Sequence, residues 1–119
     1  MAADPGCPID LMLGKGGASE GLLTACAVKI LGGAMLARLS PMSDEERTAC
    51  EEAGHDLARV LTCGDMIAGE DIFISATGVT DTQLLRGVRY HGDFVDTQSL
   101  VLRSETGTRR LVNTEHRLA

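Results

Sequence analysis

Tryptophan is absent from these 119 residues, and one tyrosine and two phenylalanines are the whole aromatic content. Any core must therefore be built from Leu, Val, Ile, Ala and Met. No run of Lys and Arg occurs, and acidic side chains outnumber basic ones by 17 to 11. The deficit lies in residues 1–85, with 5 basic and 13 acidic groups, whereas 86–119 carry 6 and 4. A surface of that sign repels a phosphate backbone, which argues against nucleic-acid binding but leaves room for a small phosphorylated ligand in a locally positive pocket. No C-x-x-C pair links Cys7, Cys26, Cys50 and Cys63, so the convergent thiolates of a zinc ribbon are missing. No apolar run reaches the length of a membrane span, and Met1 to Gly6 lacks the basic start and apolar stretch of a signal peptide. Repeats, linkers and low-complexity segments are also absent. These exclusions point to a reduced, cytoplasmic, globular chain, and 44 % hydrophobic residues exclude disorder.

What is present alternates between strand-like and helical patterns. Ile9 to Leu13 is a short apolar run that stops at Gly14-Lys15-Gly16-Gly17. Residues 20–31 follow as a helix that is apolar around nearly its whole circumference, which predicts burial between layers. Residues 34–39 read as a strand. Ser43 and Glu46 have the spacing of a capping box, opening an exposed acidic helix that Gly54 stops. Thr62 to Asp65 opens a shorter helix ending at Gly69. Ile72 to Ile74 reads as a central strand, and Thr80 to Gln83 as a second capping box before a short helix through Leu84 and Leu85. Residues 97–103 and 108–114, joined by Ser104-Glu105-Thr106-Gly107, predict a hairpin. The pattern is that of an α/β domain with a mixed β-sheet and flanking helices.

Gly14 to Gly21 carries most of the chemistry. A strand, a glycine turn and a helix N-terminus together offer free N–H groups and the positive end of the helix dipole, which suits an anion. The Walker A pattern fails because Gly14-Lys15 is followed by Gly16, and the dinucleotide pattern lacks its third glycine at Ser19. Glu20 has two readings, a helix-dipole carboxylate or a metal ligand beside a phosphate held by the glycine amides. The histidines at 55, 91 and 116 have no ligand partner at i+3 or i+4 and read as surface or hairpin residues. Asp81 is expected to cap a loop beside Thr80. Arg86, Arg89, Arg103, Arg109 and Arg110 are expected to be solvated.

Gly16-Gly17-Ala18-Ser19-Glu20-Gly21 resembles the Gly-Gly-Ala/Thr-Pro-Glu-Gly motif of class II fructose-1,6-bisphosphatases, members of the lithium-sensitive phosphatase superfamily. The resemblance continues in order through Val60-Leu61-Thr62, Ser75 to Asp81, Leu84 to Tyr90, Ser99 to Ser104 and His116-Arg117-Leu118. It implies the C-terminal domain of the sugar-phosphatase, inositol-phosphatase-like fold over residues 1–119, with the N-terminal metal-binding part of the family absent. It also implies metal-dependent hydrolysis of fructose 1,6-bisphosphate, or sedoheptulose 1,7-bisphosphate in photosynthetic relatives, in gluconeogenesis and glycerol metabolism. By motif position Gly17 contacts substrate and Glu20 binds Mn²⁺ or Mg²⁺; no catalytic residue carries over. Ser19 stands where the motif has proline, and a serine there is expected to cap the helix. Lys15 stands where a small or apolar residue is usual. Since one glutamate cannot hold a metal cluster, the chain alone is expected to be inactive and to need the missing N-terminal part or self-association. A non-catalytic sugar-phosphate-binding module and an interaction domain are the competing readings.

Overall fold

A computed structural model describes residues 2–118. Three helices and six strands follow in the order α1 (Ala18–Ile30), β1 (Leu36–Ala37), α2 (Asp44–Glu52), β2 (Leu61–Thr62), α3 (Cys63–Met66), β3 (Phe73–Thr77), β4 (Arg89–His91), β5 (Phe94–Arg103) and β6 (Thr108–Arg117). β5 organises the larger sheet. β6 runs along one edge of it for ten residues, and β3 and β4 share the other edge. β1 and β2 form a separate two-stranded ribbon. Every pairing is antiparallel, so the α/β content holds while the expected mixed sheet does not. The physical reason is connection length. β4, β5 and β6 are joined by tight turns, which link antiparallel neighbours only.

The hairpin is the best-specified element. Gly107 takes φ 59° and donates its N–H to the Ser104 carbonyl at 3.2 Å, a backbone conformation that side chains disfavour. From that turn the ladder runs back to Phe94 and on to Arg117, farther than the apolar residues alone suggest. The face of β5 that carries Gln98, Leu100 and Leu102 is buried, with Leu102 2 % exposed. Leu100 and Leu102 pack with Ala27 of α1 and with Leu85. A second small core joins Ala25, Ile67 and Ile72, and Ile30 and Ile74 touch both. Lys29 in the last turn of α1 donates to the carbonyls of Ile67 at 3.2 Å and Gly69 at 3.0 Å, tying that helix to the end of α3.

Several expectations are corrected. The first helix forms, beginning at Ala18, but only Ala25 and Ala27 are buried, while Leu22 and Leu23 are 48 % and 62 % exposed. The sheet and α3 cover one side of it and nothing among the described residues covers the other. Residues 9–13 form no strand, because an extended segment needs a hydrogen-bonding neighbour; Leu11, Met12 and Leu13 are exposed. The 72–74 strand lies at an edge, paired on one side with β5 alone. The 34–39 strand shrinks to two residues.

The capping signals divide. Ser43 accepts from the Glu46 N–H at 3.1 Å, but Glu46 reaches Met42 N–H rather than Ser43, so that box is half formed. α2 has no buried residue and is exposed except at the half-buried Cys50, as expected of a surface helix, and Gly54 follows it with φ 79°. The reciprocal box forms at Thr62 and Asp65 instead, on a helix that stops at Met66 rather than Gly69. No helix forms at 80–85. The Thr82 hydroxyl accepts from the Leu84 and Leu85 N–H groups at 3.2 and 3.0 Å, closing a turn. The chain from 78 to 88 crosses itself there. A Cβ on Gly78 would overlap the Arg86 carbonyl, and one on Gly87 would lie 2.7 Å from Thr80 Cα. The radius of gyration is 17.5 Å, against about 13.5 Å for a compact domain of this length. The difference agrees with the uncovered apolar side chains.

Candidate functional site

Gly17 is the N-cap of α1, in extended conformation at φ −67°, ψ 165°, and its carbonyl accepts from the Gly21 N–H at 3.0 Å. Having no side chain, it cannot cap the helix, and no other side chain does so. Ser19 is the second helical residue, not the cap, which corrects the expectation for it. The first-turn amides thus stand open at the positive end of α1. Glu20 lies in that turn and folds its carboxylate back over Gly17, into the space that a Cβ at 17 would fill. Thr24 Oγ1 donates to the Glu20 carbonyl at 2.8 Å, which anchors the turn below. The donor chemistry is a hard carboxylate oxygen beside free amides. That combination suits one coordination position of Mg²⁺ or Mn²⁺ next to an anion, not a complete cation cage.

A second polar constellation lies on the large sheet, beyond the buried leucines of β5. Gln98 is nearly buried; its Oε1 accepts from the Arg86 N–H and its Nε2 donates to Asn113 Oδ1, both at 2.8 Å. Arg86 donates from its guanidinium to the same Asn113 oxygen at 2.8 Å. Asp81 accepts from the Gly87 N–H at 2.8 Å and from Arg89 at 3.1 Å. The Gly87 amide first, then the Arg89 charge, hold the Asp81 carboxyl below the usual carboxylate range. This is the loop-capping role expected for Asp81. Arg86, Arg89, Asp96, Gln98, Asn113 and Glu115 line an open cavity of about 210 Å³. Neither Gly17 nor Glu20 borders it.

The structure thus brings Gly17 and Glu20 together, as the motif spacing suggested. Arg86 and Arg89 are exposed, as expected, and each also has a specific partner, Asn113 and Asp81. His91 is an exposed hairpin residue, as expected, but it has partners that the sequence reading did not find. Its Nε2 lies 3.1 Å from Asp96 Oδ1 and 3.9 Å from Glu115 Oε2. A test at i+3 and i+4 sees helical neighbours only, whereas these three residues sit on adjacent strands. Counting back from the 104–107 turn puts Asp96 opposite Glu115, so the signal lay in the hairpin register.

A profile of the family described as bacterial fructose-1,6-bisphosphatase, glpX-encoded, matches residues 1–116. Among curated relatives, the Escherichia coli K12 fructose-1,6-bisphosphatase 2 class 2 is 35 % identical over 122 residues, covering 92 % of this chain and 38 % of that protein. The Haemophilus influenzae fructose-1,6-bisphosphatase class 2 is 31 % identical, covering 96 % and 38 %. A Synechococcus D-fructose 1,6-bisphosphatase class 2/sedoheptulose 1,7-bisphosphatase is 32 % identical, covering 93 % and 36 %. The chain therefore spans little more than a third of the length of these relatives. With the profile matched along almost its entire length, the chain belongs to the bacterial glpX-type fructose-1,6-bisphosphatase family.

Proposed function

We propose that this chain is the C-terminal α/β domain of a cytoplasmic, metal-dependent phosphatase that converts fructose 1,6-bisphosphate to fructose 6-phosphate and phosphate. The observation that carries the reading is the Glu20 carboxylate folded over Gly17 at an uncapped helix N-terminus, within the motif shared with the family. In this role Gly17, lacking a Cβ, lets a phosphate approach the backbone closely. The first-turn amides of α1 donate to its oxygens, and the helix dipole favours its charge. Glu20 is one ligand of a Mn²⁺ or Mg²⁺ ion, which when bound polarises the phosphoryl group as a Lewis acid. Thr24 holds the turn that aims Glu20.

One carboxylate is a small part of the coordination that such an ion requires. The remaining ligands, in this reading, come from a counterpart of the sequence that the longer relatives carry beyond the matched stretch. The same counterpart covers the exposed Leu11, Met12, Leu13, Leu22 and Leu23. Phosphate release from fructose 1,6-bisphosphate tests the proposal, with the chain assayed alone and in place of the matching stretch of the E. coli relative. Mn²⁺-dependent release by the hybrid and background by the chain alone are expected. Binding of a phosphate analogue by the chain, with no turnover by a folded hybrid, would favour a non-catalytic binding module instead.

A further inference from the structure

We propose that His91, Asp96 and Glu115 form a binding site for a borderline divalent cation of the Zn²⁺ type, separate from the Gly17–Glu20 turn. The three residues come from three adjacent strands. Asp96 lies on β5, directly opposite Glu115 of β6 and two register positions from the partner of His91 of β4, which puts it diagonally across from that residue on the same face. All three side chains stand on one face, and one donor atom from each lies within 4.8 Å of the other two. Ligands on a tetrahedral zinc ion sit about 3.3 Å apart, from bond lengths of about 2.0–2.1 Å. The 3.1 and 3.9 Å separations about His91 Nε2 bracket that value, so small side-chain rotations complete the set.

Electrostatics supports a cation at this point. Like charges directly opposite on neighbouring strands repel. Asp96 and Glu115 are such a pair, and among the described residues neither forms an ion pair with an arginine. Arg89, the cross-strand partner of Asp96 on β4, is bonded to Asp81 instead. Arg86 and Arg89 line the neighbouring cavity and Arg117 shares this face, but among the described residues His91 is the positive group within ion-pair distance of both carboxylates. An imidazole with two carboxylates selects Zn²⁺ and its neighbours in the transition series over Mg²⁺ and Ca²⁺, which prefer oxygen donors alone. Bound there, the ion links β4 to β6 across β5 and leaves open positions toward the cavity of Arg86 and Asn113.

Zn²⁺ titration of the full chain at neutral pH tests this, with calorimetry for stoichiometry and nuclear magnetic resonance of the histidine rings for location. One equivalent is expected to shift the His91 ring signals, while His91→Ala and Glu115→Gln each weaken that binding roughly tenfold or more. Both side chains are exposed, and circular dichroism confirms that the variants keep the sheet. Unmoved His91 signals overturn the proposal. So does Zn²⁺ affinity that is the same in both variants as in the parent, since cysteine thiolates would then be the ligands. The readout is Zn²⁺ binding alone, so its failure leaves the phosphatase reading intact.

Discussion

The Glu20 carboxylate occupies the space over Gly17 in which any larger residue would place its Cβ. The glycine is thus needed for its missing side chain, since its backbone angles are open to every residue. Gly17→Ala is therefore expected to leave the melting temperature nearly unchanged while displacing Glu20 from the turn. In the completed enzyme it should raise KM for the bisphosphate and the Mn²⁺ concentration needed for half-maximal activity, both read from steady-state kinetics.

Leu102 is the most deeply buried large side chain of the sheet and touches the core shared by α1 and Leu85. Leu102→Ala is expected to destabilise the fold by about 2–5 kcal/mol, through lost transfer energy and the cavity left behind. Urea denaturation followed by circular dichroism measures it. A change at Leu23, already exposed, should cost far less in the isolated chain.

Gly78 and Gly87 mark the point where the 78–88 loop passes over itself. A methyl group on Gly78 meets the Arg86 carbonyl, beside the Arg86 N–H that bonds Gln98. Gly78→Ala is expected to cost about 1–3 kcal/mol as an overpacked contact. It should also loosen Arg86 from Asn113, visible as increased amide exchange across 84–88.

How far this was legible in the sequence depends on the kind of signal. Gly107 at a turn between two alternating segments specified the β5–β6 hairpin, but not the pairing of β3 and β4 with β5. Ser43 and Thr62 announced their helices because capping is local chemistry. The reach of the burial around α1 was not legible, since an all-apolar circumference reports what a helix can bury and not what lies beside it. The strand expected at 9–13 fails for the same reason. Thr80 to Gln83 has capping-box spacing, but Thr82 closes a turn whose shape is dictated by the Gly78–Gly87 crossing. The closeness of Gly17 and Glu20 was readable, because residues three apart meet in one helical turn. His91 was not, because its partners lie on other strands.

His91 titrates above its ordinary value of 6.5, because Asp96 accepts a hydrogen bond from the ring and the charges of Asp96 and Glu115 favour the protonated form. The ring also stacks on Phe94, and Arg89 and Arg117 share this face of the sheet. A folded-state value above the unfolded one means that the pairing stabilises the sheet fully below pH 6.5. That contribution is lost as pH rises through the folded-state value. Ring-proton chemical shifts should give a raised midpoint for His91, and Asp96→Asn should move it back toward 6.5.

The central claim is that Glu20 binds the metal of a bisphosphatase and is not merely a helix-dipole carboxylate. Glu20→Gln keeps the size and the helix position and removes the charge, so it separates the two roles. The measurement is Mn²⁺-dependent phosphate release from fructose 1,6-bisphosphate by the hybrid enzyme carrying this chain, with and without the substitution. The account predicts an unchanged fold and a loss of activity of roughly tenfold or more, partly recovered at high Mn²⁺. Full activity of the Glu20→Gln hybrid at ordinary Mn²⁺ would contradict it.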